Sequence, residues 1–208
     1  MIIIGVTGNS GAGKTTVSTI MKNNLNAPIV NADIIAREQM EEGKDYYNSV
    51  LKMFGKEILN TSKNKTKINR AKIAKIIFVD KQKRDELNKL TFKFVGNEMK
   101  KKIMEYKEQS QEYLILDVPL LYESKFNKVC NYVIAVIADE KTKVERLRVR
   151  DKLPSDEDAI NRIHSQKDEE FYKENANFII RNDKNVKYIE LVKQTLSVIH
   201  KIKDEKKD

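Results

Sequence analysis

Lys14 and Thr15 close a glycine-rich run, Gly8-Asn9-Ser10-Gly11-Ala12-Gly13-Lys14-Thr15, that fits G-x-x-x-x-G-K-[ST]. Residue types at that spacing handle phosphate. Glycines let the backbone take positive φ and come close to a ligand. Successive N–H groups can then turn inward around an anion, at the positive end of a following helix. The Lys14 ammonium can reach the β- and γ-phosphates, and the Thr15 hydroxyl can ligate Mg²⁺. Gly11, Ala12, Gly13, Lys14, Thr15 and Thr16 are the expected nucleotide-binding residues. Average residue usage produces such a match by accident in about one per cent of chains this long.

Two carboxylates and a set of arginines could work beside that loop. Asp33 follows the short apolar stretch Pro28-Ile-Val-Asn-Ala32, and Asp117 ends Tyr113-Leu-Ile-Leu-Asp117. Asp33 at such a place suits either chemistry or the capping of the next helix. Asp117 has the pattern of a carboxylate that steers Mg²⁺ or its water shell. Further on, Arg146 and Arg150 are four apart and share a helix face, with Arg162 in a second helical pattern. A basic helical pair there could fold over a transferring phosphoryl group as a lid. It could equally be a salt-bridged surface pair, because Glu145, Asp151, Asp156 and Glu157 lie nearby.

These residues need elements to hold them. Met1-Ile-Ile-Ile-Gly-Val-Thr7 is an apolar, β-branched run and predicts a buried strand leading into the loop. Val17, Ile20, Met21 and Leu25 predict a helix directly after it. Four more strands are expected at 28–32, 113–117, 132–137 and 178–181. The pattern is α/β: a three-layer phosphate-loop fold with a five-stranded parallel sheet, in which ligands gather at the carboxyl ends of the strands. Residues 43–111 differ. Tyr46, Val50, Leu51 and Phe54 form one helical stripe, Ile73, Ile76, Ile77 and Phe78 a second, and Leu87, Leu90, Phe94 and Val95 a third running to about Lys107. Asn60-Thr-Ser-Lys-Asn-Lys-Thr66 reads as a polar loop, and no strand is expected in this insertion. Asp139 and Ser155 are expected to cap helices at 140–151 and from 156 to about Gln166. The chain thus reads as one domain of 1–208: a core of 1–42, 112–138 and 168–208, a helical insertion of about 43–111 that would take the second substrate, and a lid of about 139–167. A last helix carries Ile189, Val192, Leu196 and Ile199, and the charged residues after it are expected to fray.

Composition narrows the classes. No apolar run approaches the ~20 residues needed to span a bilayer, and the short apolar N-terminus lacks the marks of a signal peptide. Cys130 is the single cysteine, which excludes an intrachain disulfide and suggests a reducing, cytoplasmic setting. His164 and His200 have no metal-ligand spacing. The net charge of +9 raises nucleic-acid binding, but the lysines are interleaved with acids and spread along all 208 residues. Small anionic substrates, with no nucleic acid or membrane partner, fit that distribution better. The residues leave the oligomeric state open.

Several separated stretches resemble the dephospho-CoA kinase family. They are 4–17 (Ile-Gly-Val-Thr-Gly-Asn-Ser-Gly-Ala-Gly-Lys-Thr-Thr-Val), 31–37 (Asn-Ala-Asp-Ile-Ile-Ala-Arg) and 116–123 (Leu-Asp-Val-Pro-Leu-Leu-Tyr-Glu). Three more are 146–151 (Arg-Leu-Arg-Val-Arg-Asp), 159–166 (Ala-Ile-Asn-Arg-Ile-His-Ser-Gln) and 176–182 (Ala-Asn-Phe-Ile-Ile-Arg-Asn). The phosphate loop is generic, whereas the stretches around Asp33 and Asp117 are far more specific. The chain departs from the family pattern at Asn31, where an acid is usual, at Phe92-Lys93, where His-Pro is usual, and at Asp183-Lys184, where a glycine is usual. The resemblance implies transfer of the ATP γ-phosphoryl to the ribose 3′-hydroxyl of dephospho-CoA. It implies Asp33 as the base, with Lys14, Arg146 and Arg150 at the transferring group. It implies Asp33, Arg37 and Asp117 toward the acceptor, and Thr15 with Asp117 toward Mg²⁺. The alternatives are another phosphate-loop kinase acting on a nucleoside or nucleoside monophosphate, a GTP-binding switch and a nucleic-acid-binding ATPase. The switch is disfavoured because no Asn-Lys-x-Asp motif follows the fourth expected strand.

Overall fold

The computed structural model describes residues 1–62 and 65–205. The chain begins with β1 (Ile2–Thr7), and the glycine-rich loop leads into α1 (Lys14–Leu25). Then come β2 (Ile29–Asn31) and α2 (Ala32–Gln39). The insertion contains α3 (Asp45–Phe54), β3 (Leu59–Ser62), β4 (Lys65–Ile68), α4 (Arg70–Val79) and α5 (Lys81–Glu108). The rest runs β5 (Tyr113–Asp117), β6 (Tyr132–Ile137), α6 (Glu140–Asp151), α7 (Asp156–His164), α8 (Glu169–Asn175), β7 (Phe178–Arg181) and α9 (Tyr188–Glu205).

Five strands form one parallel sheet in the order β2-β5-β1-β6-β7. From β1 the chain runs out to the edge strand β2, returns to β5 beside β1, then crosses to β6 and β7 on the other side, so its connections leave β1 and β6 in opposite directions. The carboxyl end of β1 is therefore a topological switch point, where such sheets open a crevice for ligands. The strands read as continuous apolar runs because both faces are covered. Ile4, Val6, Ile115, Ile134 and Val136 pack with Val17, Met21, Leu191 and Ile199 of α1 and α9. On the other face, Ala135 and Ile137 pack with Tyr172 of α8. Period-2 alternation along β6 thus feeds two cores at once.

The chain forms two compact units, residues 1–31 with 105–208, and residues 32–104. In the second unit, the Tyr46 hydroxyl hydrogen-bonds the Thr91 hydroxyl at 2.6 Å, and its ring lies 5.6 Å from that of Phe94. Asn69 caps α4 by accepting from the N–H groups of Ala71 and Lys72. The three helical stripes of the insertion correspond to α3, α4 and α5. Lys93 lies inside α5, where a proline would delete an N–H and kink the helix.

The expectation of a strandless polar loop at 60–66 is corrected. β3 and β4 pair antiparallel there, with Leu59 opposite Ile68 and Asn60 opposite Lys67. The strands are short and polar, so apolar alternation could not announce them. Their backbone pairing is supplemented locally, as by the Asn69 amide donating to the Asn60 side-chain oxygen at 3.0 Å. Residues 63 and 64 of that expected loop, and 206–208 of the expected frayed end, lie outside the described residues. The α8 helix was also unforeseen. Its seven residues carry only one buried side chain, Tyr172, too few to show a 3.6-residue period.

Candidate active site

The phosphate loop is shaped by backbone that only glycine tolerates. Gly8 has φ +133°, and a Cβ there would fall 2.1 Å from the Val136 carbonyl oxygen. Gly13 caps α1 with φ 97°, and a Cβ there would meet the Asn182 amide nitrogen at 2.2 Å. β1 is thereby pressed against β6 at its carboxyl end, and α1 starts directly at Lys14.

The outward carbonyls of the loop are taken up by neighbouring side chains. The Arg146 guanidinium, from α6, donates from Nη1 to the carbonyl oxygens of Gly11 at 3.2 Å, Ala12 at 3.5 Å and Asn182 at 2.9 Å. Asn182, just past β7, donates from Nδ2 to Ala12 O at 2.8 Å. The Ala12 carbonyl held outward leaves the other end of its peptide, the Gly13 N–H, on the opposite side where a ligand can sit, while the Ala12 N–H donates to Asn9 O at 3.2 Å within the loop. Burial pulls the Arg146 guanidinium below its ordinary value, while Asp139 and Asp183 oppose that shift. The Lys14 ammonium lies 2.9 Å from Gly8 O and 3.1 Å from Asn9 O.

The first half of the loop is tied as well. Asn9, only 2 % exposed, donates from Nδ2 to Lys167 O at 2.8 Å. The Ser10 N–H donates to Gln166 Oε1 at 2.8 Å. Both partners lie just past the end of α7.

Asp117 ends β5 beside β1 and is 3 % exposed. Its Oδ2 accepts from Asn31 Nδ2 at 2.8 Å, and the two residues are in register across β2 and β5. An acid at 31 would face Asp117 as a like charge, whereas the amide supplies a donor. The chain after β5 is knitted back to β1: Val118 N–H donates to Val6 O at 3.1 Å, and the Thr7 hydroxyl donates to Pro119 O at 3.2 Å. Asp183, at the departure after Asn182, accepts the Asp139 N–H at 2.7 Å, so the substituted side chain helps join β7 to the start of α6.

Asp33 and Arg37 lie on α2, in the other compact unit, four residues apart on the exposed side of the helix. Asp33 is two residues past Asn31 in the chain. Thr15 and Thr16 occupy the first turn of α1 and are exposed.

Arg146 and Arg150 do not converge. Arg150 is more than half exposed and makes two 2.8 Å hydrogen bonds to the Asp151 carboxylate, which also accepts from Arg162 at 2.6 Å. These arginines, with Arg150 the leading influence, hold the Asp151 carboxyl below the usual carboxylate range. Arg148 pairs with Asp156. The helical pair at 139–167 is thus laced by ion pairs at its far end, while Arg146 from α6, with Gln166 and Lys167 past α7, meets the phosphate loop.

Asn182 and Gln166 were missed as site residues. Asn182 had a usable signal, since it directly follows a parallel strand at the ligand-collecting edge. Gln166 ends the family-like stretch 159–166, but nothing in local spacing points to its partner Ser10, which tertiary packing sets. Both histidines are exposed, and His164 Nε2 lies 2.7 Å from the Glu140 carboxylate.

Comparison with known proteins agrees with this construction. The dephospho-CoA kinase family model matches residues 2–188. A dephospho-CoA kinase of Bacillus thuringiensis subsp. konkukian is 37 % identical over 182 residues, 88 % of each chain. One from Saccharomyces cerevisiae is 32 % identical over 206 residues, covering 99 % of this chain and 85 % of the other. Among solved structures, the dephospho-CoA kinase of Campylobacter jejuni superposes with a TM-score of 0.66 at 25 % identity, over 98 % of each chain. TT1252 from Thermus thermophilus gives a TM-score of 0.73 at 22 % identity over 95 % of each chain, a likeness of fold. A glycine-shaped phosphate loop at the switch point, a buried carboxylate on the adjacent strand and these relatives lead to one assignment: the chain belongs to the dephospho-CoA kinase family.

Proposed function

We propose that this protein transfers the γ-phosphoryl group of ATP to the ribose 3′-hydroxyl of dephospho-CoA, giving coenzyme A and ADP in the last step of coenzyme A synthesis. Family membership over residues 2–188 carries this reading. The intact phosphate loop supplies the chemistry it requires.

Residues 11–16 hold the triphosphate through backbone N–H groups, with Lys14 neutralising charge at the β- and γ-phosphates. Asp33 accepts the hydroxyl proton of the acceptor late in a loose transition state. Arg37 and Asp117 help position the acceptor. Arg146 acts here chiefly by keeping the loop carbonyls turned away from the nucleotide. Arg150 joins the transferring group only if the 139–167 lid closes and its pairing with Asp151 yields. The insertion of about 43–111 takes dephospho-CoA as the second substrate, and the core is formed by 1–42, 112–138 and 168–208.

Magnesium fits the residues present. Thr15 offers a hydroxyl and Asp117 a buried carboxylate, both hard oxygen donors. Among the described residues no group of three or more His, Cys, Asp or Glu could hold a metal ion by itself. That suits an ion carried largely by substrate phosphates and water. When bound, it would neutralise charge on the triphosphate. Among the described residues no helix is long and apolar enough to cross a membrane. The single cysteine favours a reducing cytoplasm.

The test is incubation with Mg-ATP and dephospho-CoA, read as ADP release and a product-mass gain of one phosphate. Adenosine, AMP and uridine run beside it as acceptors. Turnover confined to dephospho-CoA is expected. Turnover with a nucleoside or AMP instead would keep the kinase and replace its substrate.

A further inference from the structure

We propose that Gln166 is a further residue of the phosphoryl-transfer site, whose side-chain NH₂ donates to the γ-phosphate of bound ATP. The inference rests on the kinase reading above and adds a contact to it.

The loop itself shows where the γ-phosphate lies. The helix end at Gly13, Lys14 and Thr15 cradles the inner phosphates, and the lysine of such a loop spans toward the γ-phosphate. Here the Lys14 ammonium lies against the carbonyls of Gly8 and Asn9, at 2.9 and 3.1 Å. The γ side of the loop is therefore its first half, and Ser10 is the next residue along.

Gln166 is fastened at that point. Its Oε1 accepts the Ser10 N–H at 2.8 Å. The backbone beside it is held separately, because the buried Asn9 amide donates to Lys167 O at 2.8 Å. A primary amide carries its acceptor oxygen and its donor NH₂ on the same carbon. With the oxygen committed to Ser10, the NH₂ becomes the end available at the loop rim, and the side chain there is only partly buried. It is a neutral donor pre-set beside the place where charge develops, at little reorganisation cost. Gln166 also immediately follows the α6–α7 pair, so the same bond links the returning end of that pair to the γ side of the loop.

Two variants separate this contact from simple bracing. Gln166→Glu keeps an oxygen acceptor for Ser10 but replaces the NH₂ with an anionic oxygen. Gln166→Leu removes acceptor and donor together. Dissociation constants for ATP and ADP, kcat with dephospho-CoA, and thermal melting would be measured on both and on the wild type. The expected result for Gln166→Glu is a kcat lowered about 100-fold, the scale of losing one preorganised donor. ATP binding should weaken at least about tenfold more than ADP binding, which lacks the γ-phosphate, with melting unchanged. A Gln166→Glu enzyme with wild-type kcat and an unchanged ATP-to-ADP ratio would overturn the proposal. So would a Gln166→Leu variant that loses ATP and ADP equally while Gln166→Glu stays normal, since that pattern marks a brace. If the wild type fails to phosphorylate dephospho-CoA, the substrate assignment falls, and the ATP-to-ADP ratio still decides the role of Gln166.

Discussion

At the scale of single residues, the loop concentrates consequences. Lys14→Ala removes the charge proposed to meet the transferring group, together with its contacts to the Gly8 and Asn9 carbonyls, but no apolar packing. Phosphoryl transfer should fall about 100- to 1,000-fold with an unchanged melting temperature. Asp33→Asn keeps size and hydrogen-bonding capacity but removes the carboxylate proposed above as the base. The expected kcat loss is about 100- to 10,000-fold, with ATP affinity nearly unchanged; a fully active variant would remove Asp33 from the mechanism. Gly13→Ala tests the loop geometry itself. At φ 97°, with Asn182 Nδ2 2.2 Å from the new methyl, the side chain must break the Asn182–Ala12 bond or shift the loop. We expect ATP binding to weaken and the fold to lose about 1–3 kcal/mol, read by calorimetry and denaturant melts. Cys130 has a different fate. Burial pushes its thiol up to about 12, and its Sγ donates to Phe126 O, so it is a small packed side chain without thiolate character at neutral pH.

At the scale of elements, the start of α6 matters most, because that helix delivers Arg146 to the loop. Asp139 caps it, accepting from the Thr142 N–H and hydroxyl, both at 2.7 Å. Asp139→Ala should cost about 1 kcal/mol, or about 2–4 °C in melting temperature for a chain of this size. The Thr142 backbone bond, then its hydroxyl, hold the Asp139 carboxyl below its ordinary 3.8. A depressed carboxylate stabilises the fold above its unfolded-state value, and the effect is lost as pH falls through the lower folded-state value. The difference between wild type and variant should therefore be full at pH 6 and shrink below pH 4. A gap that persists undiminished at pH 2 would rule out the charged cap as its origin. The ion pairs at the far end of α6 and α7 are surface pairs, each worth little to stability.

At the scale of the whole molecule, the candidate residues fall in two compact units. The unit of 1–31 and 105–208 contains the parallel sheet, the loop and Asp117; the unit of 32–104 contains α2 with Asp33 and Arg37. The net charge of +9 belongs to both and is interleaved with acids throughout. Small anionic substrates suffice to explain it. Added duplex DNA or RNA should leave ATP turnover unchanged at low and moderate salt. Stimulation that collapses steeply between 50 and 200 mM salt would instead mark a nucleic-acid-dependent ATPase.

By itself, the amino-acid order determined whatever depends on local spacing. The loop residues, the five apolar strands, α1, α6 and α9, and the caps at Asp139 and Ser155 are read from neighbours in the chain, because backbone conformation and helix periodicity act over a few residues. The β3–β4 pair escaped because its strands are polar and short. The seven-residue α8 escaped because one buried side chain has no period. Only tertiary structure decided which long-range partners the loop has. Arg146 and Asn182 meet the loop carbonyls across separations of 135 and 170 residues, and Gln166 meets Ser10 across 156. Such pairings are created by the order of strands in the sheet, which brings the ends of β1, β5, β6 and β7 to one edge. No local pattern encodes that edge, so Arg146 and Arg150 look equivalent on one helix face, yet one braces the phosphate loop and the other pairs with Asp151.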